Sequence, residues 1–138
     1  MGLMVDTNVF IRFEKSGKPL EFSAWESSEN IYISVVIASE LLMGALRADT
    51  ETRRQRRSAF VEAIIAAVGV LDFTIPVARV HAEIHAELAK SGRMIGAHDL
   101  IIAATARYHN LSLLTDNFQE FARVPGLRLI PFVHSDPT

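Results

Sequence analysis

Short apolar runs alternate along this chain with longer stretches in which apolar residues return every three or four positions, a pattern that predicts strands and helices in turn. Leu3–Asp6 is short and apolar enough for a buried strand. Thr7 and Asn8 then offer capping side chains to a helix starting at Val9. Pro19 suits the first turn of a second short helix running through Trp25. Ile31–Ile33 reads as the next strand. Ser34 caps a helix from Val35 to about Arg47, with Ile37, Leu41 and Leu42 on one stripe and Glu40 one residue off its edge. Thr50 caps another, charged in its first half and apolar over Phe60–Val68, which Gly69 ends. Val70–Phe73 is a third strand. Pro76 opens a helix to about Lys90, with Val80, Ile84 and Leu88 spaced four apart and Gly92 as its stop. Ala97–His109 is a further helix, Leu111–Leu114 a fourth strand and Leu127–Ile130 a fifth. Such alternation predicts one α/β domain on a parallel sheet, spanning 1–133, with a polar tail at 134–138.

Size and composition agree with that reading. A chain of 138 residues buries roughly 68–70% of its unfolded surface, so its core needs neither disulfide nor structural metal. There are no cysteines, which excludes thiol catalysis, disulfide frameworks and thiolate zinc sites. The longest apolar runs, Ile31–Ile37 (broken by Ser34) and Leu100–Ala104, fall far short of the roughly 20 residues of a spanning helix. The first residues lack a basic stretch followed by a long apolar one, so no signal peptide is expected and the cytoplasm is the default location. Asp6 occupies the place where an N-myristoylation motif needs a hydroxyl. Net charge is −2, which is not that of a basic nucleic-acid coat. The 14 basic residues are nevertheless mostly arginine, and four crowd together as Arg53, Arg54, Arg56 and Arg57. They read as a solvated helix face, or else as contacts to RNA phosphates or to an acidic partner.

Four acids stand where this architecture places ligands, beyond the carboxyl ends of strands. Asp6 ends the first strand and Asp116 follows the fourth. Glu40 lies within the apolar helix after the second strand. Asp99 starts the helix Leu100-Ile101-Ile102-Ala103-Ala104. A carboxylate in such company needs a partner, because desolvating an unpaired charge is prohibitive. Acids meeting in one crevice, without thiols, form a hard-oxygen set suited to Mg²⁺ or Mn²⁺. Each also has a structural alternative. Asp6 reads equally as a helix N-cap, Glu40 as a partner of Arg47 or a surface residue, Asp99 as a first-turn acid facing the helix dipole, and Asp116 as a turn residue.

The strings around these acids are Val5-Asp6-Thr7-Asn8-Val9, Ser39-Glu40-Leu41 with Gly44, Ile95-Gly96-Ala97-His98-Asp99 running on to Ala106, Leu114-Thr115-Asp116-Asn117-Phe118 with Phe121, and Val124-Pro125-Gly126-Leu127-Arg128-Leu129. Together and in this order they closely resemble PIN-domain proteins, in particular the VapC-like toxins of type II toxin–antitoxin modules. The resemblance implies a five-stranded parallel sheet in order 3-2-1-4-5 flanked by helices. It implies a Mg²⁺- or Mn²⁺-dependent endoribonuclease, usually dimeric, acting on RNA and held inactive by a cognate antitoxin. It carries the family's first three acids onto Asp6, Glu40 and Asp99, with Asp6 and Asp99 as direct metal ligands and Glu40 binding a second metal or orienting the water. The fourth falls on Asp116 as an outer-shell ligand. Asn117, two after the threonine, is the alternative. Thr115 is expected to position the attacking water, with Asn8 and His98 near the substrate.

Competing chemistries lack their residues. A haloacid-dehalogenase-type phosphatase needs a second Asp where the chain has Asn8. A receiver domain needs a phosphoacceptor after the third strand and a late Lys, yet Asp72 falls within the expected strand and no Lys follows Lys90. A hydrolytic zinc helix on His81 and His85 needs Glu directly after the first His, whereas the Glu is at 83, so these read as ordinary helix histidines. His109 and His134 carry no signal. A non-toxin PIN nuclease and a binding-only PIN domain are the nearest alternatives, but the latter would have lost acids that stand here.

Overall fold

The computed structural model describes residues 2–17 and 30–132. Five parallel strands, β1 (Leu3–Val5), β2 (Ile31–Ser34), β3 (Gly69–Leu71), β4 (Ser112–Thr115) and β5 (Leu129–Pro131), form one sheet in the order β3-β2-β1-β4-β5. Helices α1 (Thr7–Ser16), α2 (Val35–Leu46), α3 (Glu51–Ala67), α4 (Ile75–Ser91), α5 (Ala97–Tyr108) and the short α6 (Phe118–Phe121) connect and cover them. The strand order is the expected one. The helix expected at Pro19–Trp25 and the tail at 134–138 lie outside the described residues.

The central strand is the most apolar. Leu3, Met4 and Val5 are all buried, as both faces of a helix-covered parallel sheet require. Leu3 pairs with Ile31 on one side and Ser112 on the other, and Val5 pairs with Leu114. The chain leaves β1 toward β2 and reaches β4 on the opposite side. The topological switch therefore falls between β1 and β4, where open α/β sheets bind ligands. Ile33, Ile37, Ile84, Ile102, Leu113 and Phe121 complete the core around it.

Several boundaries differ from expectation. α1 starts at Thr7, two residues early, because Asp6 itself is the N-cap and accepts from the Thr7 N–H. α3 ends at Ala67, and Gly69 opens β3 instead of stopping the helix. The glycine is required by Tyr32: a Cβ at residue 69 would stand 2.5 Å from the Tyr32 ring, whose other edge already lies 3.1 Å from the Cβ position of Gly2. The Tyr32 side chain thus lies between Gly69, which opens β3, and Gly2, which precedes β1. Asp72 follows β3 instead of lying in it, but β2 separates that edge strand from β1, so Asp72 cannot share a pocket with Asp6 as a receiver domain would need. α6 was not anticipated, and β5 begins two residues late.

Ser34 and Thr50 cap α2 and α3 through their hydroxyls, as expected. Among the described residues no helix is long and apolar enough to cross a membrane.

Gly69→Ala should overpack this contact and lower the unfolding free energy by about 1–3 kcal/mol, read as a shifted urea midpoint. Gly44→Ala, on the helix α2 with nothing within 4 Å of its Cβ position, is the comparator and should be neutral or stabilising.

Candidate active site

The carboxyl end of β1 delivers Asp6 into the switch-point crevice, only 5% exposed. Its Oδ1 accepts the Thr7 N–H at 2.8 Å. Its Oδ2 accepts the hydroxyl of Thr115, the last residue of β4, also at 2.8 Å. The Thr115 proton is therefore committed to Asp6. Thr7 faces the other way with its hydroxyl, donating to Glu40 Oε1 at 2.6 Å. Glu40 reaches the crevice from the second turn of α2, and its Oε2 lies 3.3 Å from His98 Nδ1. The alternative partner for Glu40, Arg47, is not the one it meets.

Asp99 enters from the first turn of α5 and shares a hydrogen bond with Glu120. Glu120 is in turn held by the Gly96 N–H and the Asn117 side-chain amide, each at 2.8 Å. Glu120 is the site residue that sequence reasoning missed. Its signal was Phe121: that ring is fully buried, so the turn after Thr115 must fold inward and bring residue 120 to the crevice.

Asp116 lies close enough for its charge to act on Asp6. Its carboxylate turns to α1, where Arg12 Nε donates to Oδ2 at 2.8 Å and Asn8 Nδ2 lies 3.5 Å from Oδ1. Asn117 does not stand in for it, because its amide serves Glu120. The position beside Asp99 belongs to Glu120.

Negative charge dominates the crevice. Burial pushes the Asp6 carboxyl above its ordinary value, as do the charges of Glu40 and Asp116, against the hydrogen bonds from Thr115 and Thr7. Burial, then Glu120, Asp6 and Glu40, raise Asp99 to about 7. Glu120 is held below the usual range by the Gly96 N–H and Asn117. Asp99 therefore keeps its proton to higher pH than Glu120 does. Such a set of hard oxygens, repelling one another across a buried space, fits a divalent cation in donor chemistry. Among the described residues no three acids stand close enough together to form a ligand set.

A cleft of about 240 Å³ adjoins the acids, with Glu40, Ile11, Leu41 and Phe60 in its lining and the Arg57–Glu14 ion pair at 3.3 Å beside them. The arginine run divides accordingly. Arg53 pairs with Asp49 and Arg54 with Glu51 on the exposed surface, each at 2.9 Å. Arg56 is exposed, and Arg57 alone turns into the cleft. His81 stacks edge-on against Phe73 at 5.5 Å and is lowered by burial and by His85, as ordinary helix histidines would be.

The chain matches the PIN domain family over residues 3–127. It is 38% identical to Ribonuclease VapC of Rickettsia bellii, covering 94% of this chain and 96% of that one. It is 35% identical to the tRNA(fMet)-specific endonuclease VapC of Shigella flexneri, over 91% and 93% of the two chains. Among solved structures, DNA-bound VapBC from Salmonella typhimurium superimposes with a TM-score of 0.84 at 31% identity, covering 95% of this chain and 98% of that one.

The raised Asp99 carboxyl sets a pH dependence. In EDTA, the folded chain retains a proton on Asp99 that the unfolded chain has lost, across the window from 3.8 to about 7. More protons bound in the native state means stability falls as pH rises through that window. Asp99→Asn lacks this proton, so its melting temperature should gain on wild type between those pH values and run parallel above them. Thermal melts from pH 4 to 8 read the difference, and a gap that narrows with rising pH would contradict the assignment.

Proposed function

The chain belongs to the PIN-domain family, and on that premise we propose that it is a divalent-metal-dependent endoribonuclease, the toxin of a type II toxin–antitoxin module. The observation that carries the reading is the meeting of Asp6, Glu40, Asp99 and Glu120 at the β1–β4 switch point. When bound, Mg²⁺ or Mn²⁺ offsets the charge of the scissile phosphate and acidifies a coordinated water. Asp6 and Asp99 would hold that ion, with Glu40 beside them. The chain's own part is to fix these oxygens beforehand. Thr115 and the Thr7 N–H orient Asp6, the Thr7 hydroxyl and His98 orient Glu40, and Glu120 orients Asp99. Ordered ligands lose less freedom when the transition state forms. A water nucleophile does not need the 2′-hydroxyl, so preference for RNA comes from the surfaces around the crevice. The Shigella flexneri relative's name makes initiator tRNA the first substrate to try.

The partner is a cognate antitoxin, and the similarity to VapBC supports it. The cleft between α1, α2 and α3 suits an amphipathic helix: apolar walls from Ile11, Leu41 and Phe60, with Glu40 to meet a basic side chain. A homodimer in the cytoplasm completes the proposal.

Asp6→Asn removes a charged ligand; its oxygen can still accept the Thr7 N–H, while its amide nitrogen faces Thr115, whose hydroxyl must turn to accept from it. It should reduce RNA cleavage to background. Its melting temperature in EDTA should equal or exceed that of wild type, while the rise on adding Mn²⁺ shrinks. Retained cleavage with an unchanged Mn²⁺ shift would refute the metal site, and global unfolding would make Asp6 a structural cap.

Antitoxin binding should slow amide exchange in α1 and α2 around Ile11 and Leu41. Protection confined to α4 would place the partner elsewhere.

A further inference from the structure

Arg12 brings positive charge to the lip of an otherwise acidic crevice. It lies one turn beyond Asn8 on α1, so both side chains face the same way. Both meet Asp116, Asn8 at Oδ1 and Arg12 at Oδ2. The two members of the ion pair differ in exposure: the arginine side chain is 41% exposed and the aspartate only 17%. Asp116 is thus the fixed partner, anchored on the strand end beside Thr115, and Arg12 is the one that faces solvent. The contact also uses only Nε. Among the described residues the two terminal amino groups of Arg12 meet no acceptor, and they leave open the paired donors that guanidinium uses for phosphate.

The surroundings give this arrangement a purpose. Asp6, Glu40, Asp99 and Glu120 repel an approaching polyanion, and a metal held among them acts at one phosphate only. Asp116 adds to the same field, since its charge acts on Asp6. Both Asp116 oxygens are already occupied, which suits it to aiming a cation. Arg53 and Arg54, bound to acids of their own helix surface, are not so directed.

We propose that Arg12, aimed by Asp116 and Asn8, binds a backbone phosphate of the RNA adjacent to the scissile one. Arg12 is a substrate-binding residue and Asp116 a positioning residue. The inference rests on the nuclease reading for the identity of its ligand, and predicts binding more than turnover, because the contact is made equally in ground and transition states.

The experiment has two arms on the same preparations. In Mn²⁺, steady-state cleavage of initiator tRNA is followed for wild type, Arg12→Gln, Arg12→Lys and Asp116→Asn. In EDTA, fluorescence anisotropy follows binding of a 20-nucleotide single-stranded RNA over a KCl series. Arg12→Gln should raise KM about tenfold, the scale of one charge-assisted hydrogen bond, with little change in kcat. It should also flatten the salt dependence by about 0.7, one phosphate on a single strand. Arg12→Lys should restore the slope but only part of the affinity. Asp116→Asn should raise KM while keeping the Mn²⁺-induced rise in melting temperature. An Arg12→Gln protein with wild-type KM and salt slope overturns the proposal, as does one that loses only antitoxin affinity. An Asp116→Asn protein that loses its Mn²⁺ shift overturns it too, making Asp116 a metal ligand and Arg12 its counter-ion. If wild type cleaves no RNA while Arg12→Gln still flattens the slope, the nuclease reading fails and the phosphate contact stands.

Discussion

The hydrogen bond from Thr115 to Asp6 joins the two strands at whose carboxyl ends the site lies. β1 and β4 are neighbours only because the chain crosses from one half of the sheet to the other, and the site lies beyond their paired carboxyl ends. The Thr115 hydroxyl bridges those ends at 2.8 Å, with the backbone bond from Asp6 N to the Leu114 carbonyl just below it. Asp6 thereby does three things: it ends β1, caps α1 and holds β4. A buried carboxylate is tolerated because two donors and the N-terminus of α1 compensate it. The alternatives of helix cap and site acid were never exclusive, since the geometry that satisfies the cap also presents the charge.

That economy leaves the crevice with too many acids for its cations. Arg12 stands at the edge, and burial with the neighbouring acids pushes the Asp99 carboxyl up to about 7. The fold supplies the stability that this repulsion removes. Core residues behind the site, among them Met4, Val5, Ile102 and Leu113, are essentially inaccessible. Close packing of rigid elements lets a few acids be held against their own repulsion, as sites that gather like charges require.

The sheet order was legible through the family resemblance, and the elements through apolar period. Boundaries failed where side-chain contacts overrode local signals. Gly69 reads as a helix stop, yet its conformation answers to the Tyr32 ring, which is 37 positions away in sequence and adjacent across the strands. At the site, Asp6, Glu40 and Asp99 stand out because each interrupts an apolar surrounding. Glu120 does not: it lies in a polar stretch, Asp116-Asn117-Phe118-Gln119-Glu120, where any acid looks solvated. Only the burial of Phe121 reveals which way the turn faces, and burial is a property of the packed chain.

The same turn explains why spacing after Thr115 misleads. Asn117 N–H bonds back to the Thr115 hydroxyl at 2.9 Å, so the chain curls tightly and successive side chains fan apart. Asp116 is thrown toward α1 and Arg12, while Glu120 swings back under Gly96 and Asp99. Thr115 is thus fixed from both sides, donating to Asp6 and accepting from Asn117. One hydroxyl consequently sets the direction of two acids that sequence separation alone would rank in the opposite order. The acid nearer in sequence pairs with Arg12, and the farther one shares a hydrogen bond with Asp99.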